Sequence, residues 1–146
     1  MIVTDASFWV SALLAQDVHH GEADALLRRI AAEEIPVIAP AFVIIEVAGA
    51  LVRRTQDPDA VEKTVRHLQK QPWLTLVPMT VPFAEIAVKV AITCALRGAD
   101  AIYLALARQE GLPLITHDNE ILQRGASAAL VMTPAEWLRQ NPEADA

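Results

Sequence analysis

Short apolar runs rich in β-branched residues alternate along the chain with longer segments whose apolar positions recur at helical spacing. This is the pattern of successive βα units feeding a parallel sheet. The runs predict strands at Ile2 to Thr4, Pro36 to Ala39, Leu74 to Pro78, Pro113 to Thr116 and Ala129 to Met132. Between them, SFWVSALLA, GEADALLRRIAAEE, PAFVIIEVAGALVRRT, PDAVEKTVRHLQKQ, PFAEIAVKVAITCALR and DAIYLALARQEG predict helices. Pro40, Pro58 and Pro82 fall where a helix's first turn tolerates a missing N–H, and Gly98 and Gly111 fall where helices end. With a helix between each pair of strands, the expected fold is a three-layer α/β/α domain around a central five-stranded parallel sheet with right-handed crossovers. No repeat, low-complexity tract or linker interrupts it, so one domain is expected over residues 1–140, with NPEADA, residues 141–146, as a loose tail. Such sheets collect ligands at the carboxyl ends of their strands, close to where strand order reverses. MIVTDAS delivers Asp5 to such a position, with the hydroxyl of Ser7 two residues on.

Composition narrows the setting. A chain of 146 residues, 53% of them hydrophobic, has the means to build one substantial core. Cys94 is the only cysteine and lies in the apolar context AITCALR, so no intrachain disulfide can form, and its expected role is packing in a reducing, cytoplasmic compartment. The apolar patch FWVSALLA follows Asp5 and lacks a basic flank, which argues against an export signal. The longest apolar stretch, IPVIAPAFVIIEVAGALV, is broken by Pro36 and Pro40 and carries Glu46, against the roughly 20 uninterrupted residues a membrane helix requires. No membrane association is expected. The net charge of −6 weighs against a nucleic-acid partner. It loses that weight if Asp5, Glu46, Asp100 and Asp118 form a cation site and Glu143 and Asp145 lie in the tail, because 12 bases then face as many remaining acids.

Each of those four acids has a plain alternative when taken alone. Asp5 and Ser7 suit the N-cap of the helix that follows, Asp100 suits the cap of AIYLALARQEG with Arg97 as an ion partner, and Asp118 suits the cap of NEILQRG. Glu46 is harder to explain locally. Its neighbours at helical spacing are Phe42, Val43, Gly49 and Ala50, with no cation among them, so a carboxylate buried there must protonate, find a distant partner or bind a metal. Taken together, the four can converge on one edge of the sheet, where they repel one another unless a cation lies between them. Thr116 and Asn119 flank Asp118 with oxygens able to orient water or a metal-bound hydroxide. An all-oxygen donor set selects Mg²⁺ or Mn²⁺ over zinc. His19 and His20 are adjacent and expected to be exposed, and His67 and His117 are isolated, so none shows the spacing of a zinc site.

The blocks MIVTDASFWVSALL, PAFVIIEVAGAL, RGADAIYLALA and LPLITHDNEIL, in this order and spacing, resemble the four acidic blocks of PIN-domain ribonucleases, most closely the VapC-type toxins of bacterial toxin–antitoxin pairs. The resemblance runs from Met1 to about Trp137. It implies a divalent-metal endoribonuclease acting on RNA, in which Asp5, Glu46, Asp100 and Asp118 are the acidic quartet and Ser7 and Thr116 occupy the small hydroxyl positions. Asp5, Asp100 and Asp118 are then the expected metal ligands, Glu46 orients the attacking water, Asn119 has a supporting role, and Arg97 is the first candidate for contact with the RNA backbone. A homodimer and an inhibitory antitoxin partner are implied by the same resemblance. A standalone RNA-processing nuclease and a degenerate fold kept as a protein-binding module are the alternatives within this fold.

Two other α/β classes fit less well. Phosphatases of the haloacid dehalogenase type need a second Asp two residues after the first, where this chain has Ser7. Phospho-receiver domains need an Asp at the end of the third strand, and LTLVPMT has none.

Overall fold

A computed structural model describes residues 1–143. The elements run β1 (Ile2–Thr4), α1 (Ala6–Leu13), α2 (His20–Glu33), β2 (Val37–Pro40), α3 (Val43–Thr55), α4 (Pro58–Gln69), β3 (Leu74–Val77), α5 (Val81–Cys94), α6 (Gly98–Glu110), β4 (Leu114–Ile115), α7 (Asn119–Arg124), β5 (Val131–Met132) and α8 (Pro134–Gln140). All five strands are parallel, in the order β3-β2-β1-β4-β5. The expected three-layer α/β/α architecture is therefore the observed one. The chain lays β2 and β3 to one side of β1 and then crosses to β4 on the other, so strand order reverses between β1 and β4. That reversal is the position at which open α/β sheets bind ligands.

β1 is the central strand of the five. Ile2, Val3 and Thr4 are all buried, and β1 pairs with β2 on one side and β4 on the other. α6 lies against β1 and β2 with Tyr103 to Ala107 buried, so the apolar run IYLALA is a core segment. Phe8, Trp9 and Trp73 belong to the core as well, with Trp9 stacked on Trp73 at 6.1 Å and its indole N–H donating to Thr4 Oγ1 at 2.9 Å. Cys94 is buried in the same core, as its context implied.

Several boundaries differ from the sequence expectation. Pro40 ends β2 instead of opening a helix, and α3 begins at Val43. Ala41 N–H still donates to Val77 of β3, so alternate residues of β2 face β3 and Pro40 faces the β1 side, where pairing stops at Ile38 and no donor is missed. Gly98 opens α6, and α5 is ended by Ala95, which adopts the left-handed conformation at φ 53°. Pro58 and Pro82 do sit in first helical turns, and Gly111 does cap α6. α8 was not anticipated, although TPAE carries its signal: Thr133 and Glu136 form a reciprocal capping box with Pro134 at the first turn. The expected loose tail starts anchored, since Arg29 donates to the carbonyls of Asn141 and Pro142. Residues 144–146 of that tail lie outside the described residues. Among the described residues, no single helix is long and apolar enough to cross a membrane.

Candidate active site

Thr116 links the two strand ends that flank the reversal. It follows β4, is fully buried, and donates from Oγ1 to Asp5 Oδ2 across 2.5 Å. The same oxygen accepts from Asp118 N–H at 2.9 Å. Ser7 donates to the other oxygen of Asp5, Oδ1, at 2.7 Å and accepts from His117 N–H at 2.9 Å. Asp5 Oδ1 also accepts from Phe8 N–H, so Asp5 does cap α1 while its second oxygen faces β4. Burial lifts the Asp5 carboxyl to about 6, against the pull of the Thr116, Ser7 and Phe8 hydrogen bonds, and the Asp118 charge adds to the rise.

Asp118 caps α7, accepting from Glu120 N–H at 2.8 Å and Ile121 N–H at 3.1 Å. Asp100 is not the cap of α6. Arg97 holds that position without a side-chain cap bond, and Asp100 sits in the first turn. Arg97 donates to Asp100 Oδ2 at 3.2 Å and lies 3.6 Å from both Asp118 Oδ2 and Glu120 Oε2. The guanidinium stands as a cation among acids from α6 and α7. Burial and the Asp118 charge still raise the Asp100 carboxyl, partly offset by Arg97.

Glu46 lies one turn into α3 and is half-buried on a wall that also exposes Ile45, so the helix is less enclosed than its apolar sequence implied. Its distant partner is Tyr103 of α6, whose phenol donates to Glu46 Oε2. Burial, that hydrogen bond and the charges of Glu46 and Asp5 all push the phenol upward, which keeps it a donor. Asn119 is exposed at the first position of α7. Ser7, Glu46, His19, His117, Arg53 and Arg54 line a groove of about 610 Å³ that starts at the strand ends. Arg54 pairs with Asp17 at 2.7 Å, and this bond holds the Asp17 carboxyl at about 2 despite burial.

The family model for the PIN domain matches residues 2–126. This chain belongs to the PIN-domain family. Among curated protein sequences none matches it. Solved structures similar to it include VapC20 of Mycobacterium tuberculosis, a sarcin-ricin-loop-cleaving toxin, at TM-score 0.71 and 21% identity over 89% of this chain and 97% of that one. FitAcB of Neisseria gonorrhoeae matches at TM-score 0.70 and 19% identity over 92% and 99%. VapBC2 of Rickettsia felis, bound to a DNA fragment from its promoter, matches at 0.69 and 11% over 91% and 98%. At these identities what is shared is the PIN fold.

In this PIN domain the quartet comes from four places, Asp5 after β1, Asp118 before α7, and Glu46 and Asp100 in the first turns of α3 and α6. Asp118 raises both Asp5 and Asp100, the mark of like charges held close, and the donors are all oxygens, so the set suits a hard divalent cation. Sequence reasoning missed two features. Tyr103 reads as a core aromatic, and nothing local connects it to Glu46. No histidine shows the sequence spacing of a zinc site, yet among the described residues the three metal-donor side chains within 4.8 Å of one another are His19, Glu22 and His117. His19 and Glu22 are three apart at the start of a helix, a visible signal, whereas His117 joins them only through the fold.

Proposed function

We propose that this PIN domain is a metal-dependent endoribonuclease and the toxin of a toxin–antitoxin pair. The observation that carries the reading is the Thr116 hydroxyl joining Asp5 to the Asp118 turn at the strand-order reversal, with Asp100 and Glu46 on flanking helices. Asp5 and Asp100 would hold Mg²⁺ or Mn²⁺ directly, and Asp118 would do so directly or through water. The ion supplies Lewis-acid stabilisation of the phosphate and lowers the pKa of water. Glu46, held by Tyr103, orients the attacking water, and Ser7 and Thr116 fix the direction of the Asp5 carboxylate. Asn119, at the rim, supports the Asp118 turn. Arg97, exposed beside the acids, would contact the RNA backbone. Water as nucleophile leaves 5′-phosphate and 3′-hydroxyl ends.

The cytoplasmic partners in this reading are RNA, an antitoxin protein seated in the groove beside exposed Ile45 and Val18, and a second copy of the chain. The similar structures include a toxin–antitoxin complex from Klebsiella pneumoniae, at TM-score 0.64 and 18% identity, which supports the antitoxin partner by analogy of fold. Purified protein incubated with total RNA in Mg²⁺ or Mn²⁺, beside EDTA and the Asp5→Asn and Asp100→Asn variants, tests it. Discrete cuts lost in EDTA and in both variants are expected. Cutting that survives them, or none at all from antitoxin-free protein, overturns the reading.

A further inference from the structure

We propose that His19, Glu22 and His117 form a second cation site, suited to Zn²⁺ or another borderline transition ion and not to Mg²⁺. His19 and His117 line the groove, and none of the three donors belongs to the acidic quartet. Glu22 Oε1 is the shared point: it is 3.2 Å from His117 Nδ1 and 3.6 Å from His19 Nδ1. An ion with bonds of about 2.0 to 2.1 Å in tetrahedral geometry separates its donors by roughly 3.3 to 3.4 Å, so the two observed edges bracket the required one. Two imidazoles and one carboxylate are the donors of open zinc sites, and nitrogen ligands discriminate against Mg²⁺.

A second observation comes from His117. Its side chain is only 5% exposed, and its Nε2 is buried without a hydrogen-bond partner. Buried imidazoles ordinarily satisfy both nitrogens, whereas here only Nδ1 has a polar neighbour, Glu22 Oε1. The backbone fixes it, because His117 N–H donates to Ser7 and the residue lies between Thr116 and Asp118. If the ring proton sits on Nε2, then Nδ1 and Glu22 Oε1 face each other as bare acceptors, an arrangement that a cation between them relieves.

The rings of His19 and His117 stack at 4.4 Å and 8°, so their lone pairs run side by side. His19 must tilt to bring its lone pair to the ion, and at 48% exposure it is free to do so. Glu22 is one helical turn beyond His19 and faces the same side. A bound ion would tie the start of α2 to the turn that carries Thr116 and Asp118.

The test uses the full chain carrying Asp5→Asn and Asp100→Asn, so that the quartet does not compete, and Co²⁺ as the spectroscopic probe. Expected are the visible absorption of a four-coordinate Co²⁺, saturation at one ion per chain, displacement by Zn²⁺ and no displacement by excess Mg²⁺. His19→Ala, at an exposed position, and Glu22→Gln, which keeps the side chain's size, are expected to weaken Co²⁺ binding at least about tenfold with unchanged circular dichroism. Absence of binding, equal displacement by Mg²⁺, or binding undiminished in folded His19→Ala overturns the proposal. None of these readouts depends on RNA cleavage.

Discussion

The phenol of Tyr103 donates to Glu46 across 57 positions of sequence, and the Phe42 ring packs on it at 5.1 Å. The bond places a neutral donor where α3 offers Glu46 no cation. It also fixes the carboxylate that the proposed mechanism uses to orient water. Tyr103→Phe keeps the buried ring and removes only the hydroxyl. The expected result is a kcat about tenfold lower, or about 1.4 kcal/mol in the barrier, with KM for RNA and the melting temperature nearly unchanged. An unaltered kcat refutes the positioning role of Tyr103.

Thr116 serves both Asp5 and Asp118 with one hydroxyl, so Thr116→Val strands a buried carboxylate oxygen and a backbone N–H. Loss of such partners costs about 1 to 3 kcal/mol. Urea denaturation in EDTA is expected to show that loss for Val and little for Thr116→Ser, which keeps the hydroxyl. Equal stability of the two variants contradicts the hub role.

Two buried groups set opposing pH dependences in the metal-free protein. Asp5 is raised to about 6, so between its ordinary 3.8 and that value the folded state holds a proton that the unfolded state has lost, and stability falls as pH rises. His117 is lowered to about 4 by burial, with the nearby His19 adding to the fall. Between 4 and its ordinary 6.5 the unfolded state holds the extra proton, and stability rises with pH. In EDTA, wild-type stability from pH 4 to 6 is expected to be nearly level from these two groups. Asp5→Asn removes the falling contribution and leaves a stability that climbs with pH, which denaturant titration at each pH measures. A climb as steep in the wild type shows that Asp5 is not raised.

The sequence carried the site's residue types and the strand ends that display them, because a buried parallel strand must be continuously apolar and a polar residue ending it stands out. Asp5 after Ile2 to Thr4 and Asp118 after LIT are legible for that reason. Glu46 was legible as an anomaly, but its partner was not, since a tyrosine amid IYLALA looks like any core aromatic. Pro40 misled because proline suits a first helical turn and also suits a strand end whose N–H faces no neighbour. Ala95 in the left-handed region has no sequence signal, for glycine is the residue that region favours. His117 escaped notice because its neighbours His19 and Glu22 are nearly a hundred residues away in sequence and meet it only once α2 packs on α1 and α8.

Arg97 stands among Asp100, Asp118 and Glu120, so in the proposed mechanism it competes with the cation for these acids. Removing one positive charge a few ångströms from the ligands is expected to tighten Mn²⁺ binding about three- to fivefold. Calorimetry on Arg97→Ala measures this directly. Cleavage by the same variant should show a raised KM for RNA, so affinity for metal and affinity for substrate move in opposite directions. Weaker Mn²⁺ binding in Arg97→Ala would falsify the competition.

The α5 face carries the material for the proposed homodimer. Val81, Val88 and Ile92 are 74%, 56% and 78% exposed and, spaced seven and four apart, form one stripe along the helix. A shallow hollow lined by Ala84, Val88, Ala91 and Ile102 lies beside it. In the proposed homodimer, an antiparallel pairing of two α5 helices about a two-fold axis would match this stripe to itself. The double substitution Val88→Glu and Ile92→Glu sets four like charges across that axis while disturbing no buried side chain. Light scattering is expected to give a dimer for the wild type and a monomer for the variant, with identical circular dichroism. A monomeric wild type, or a variant that stays dimeric, removes α5 as the interface.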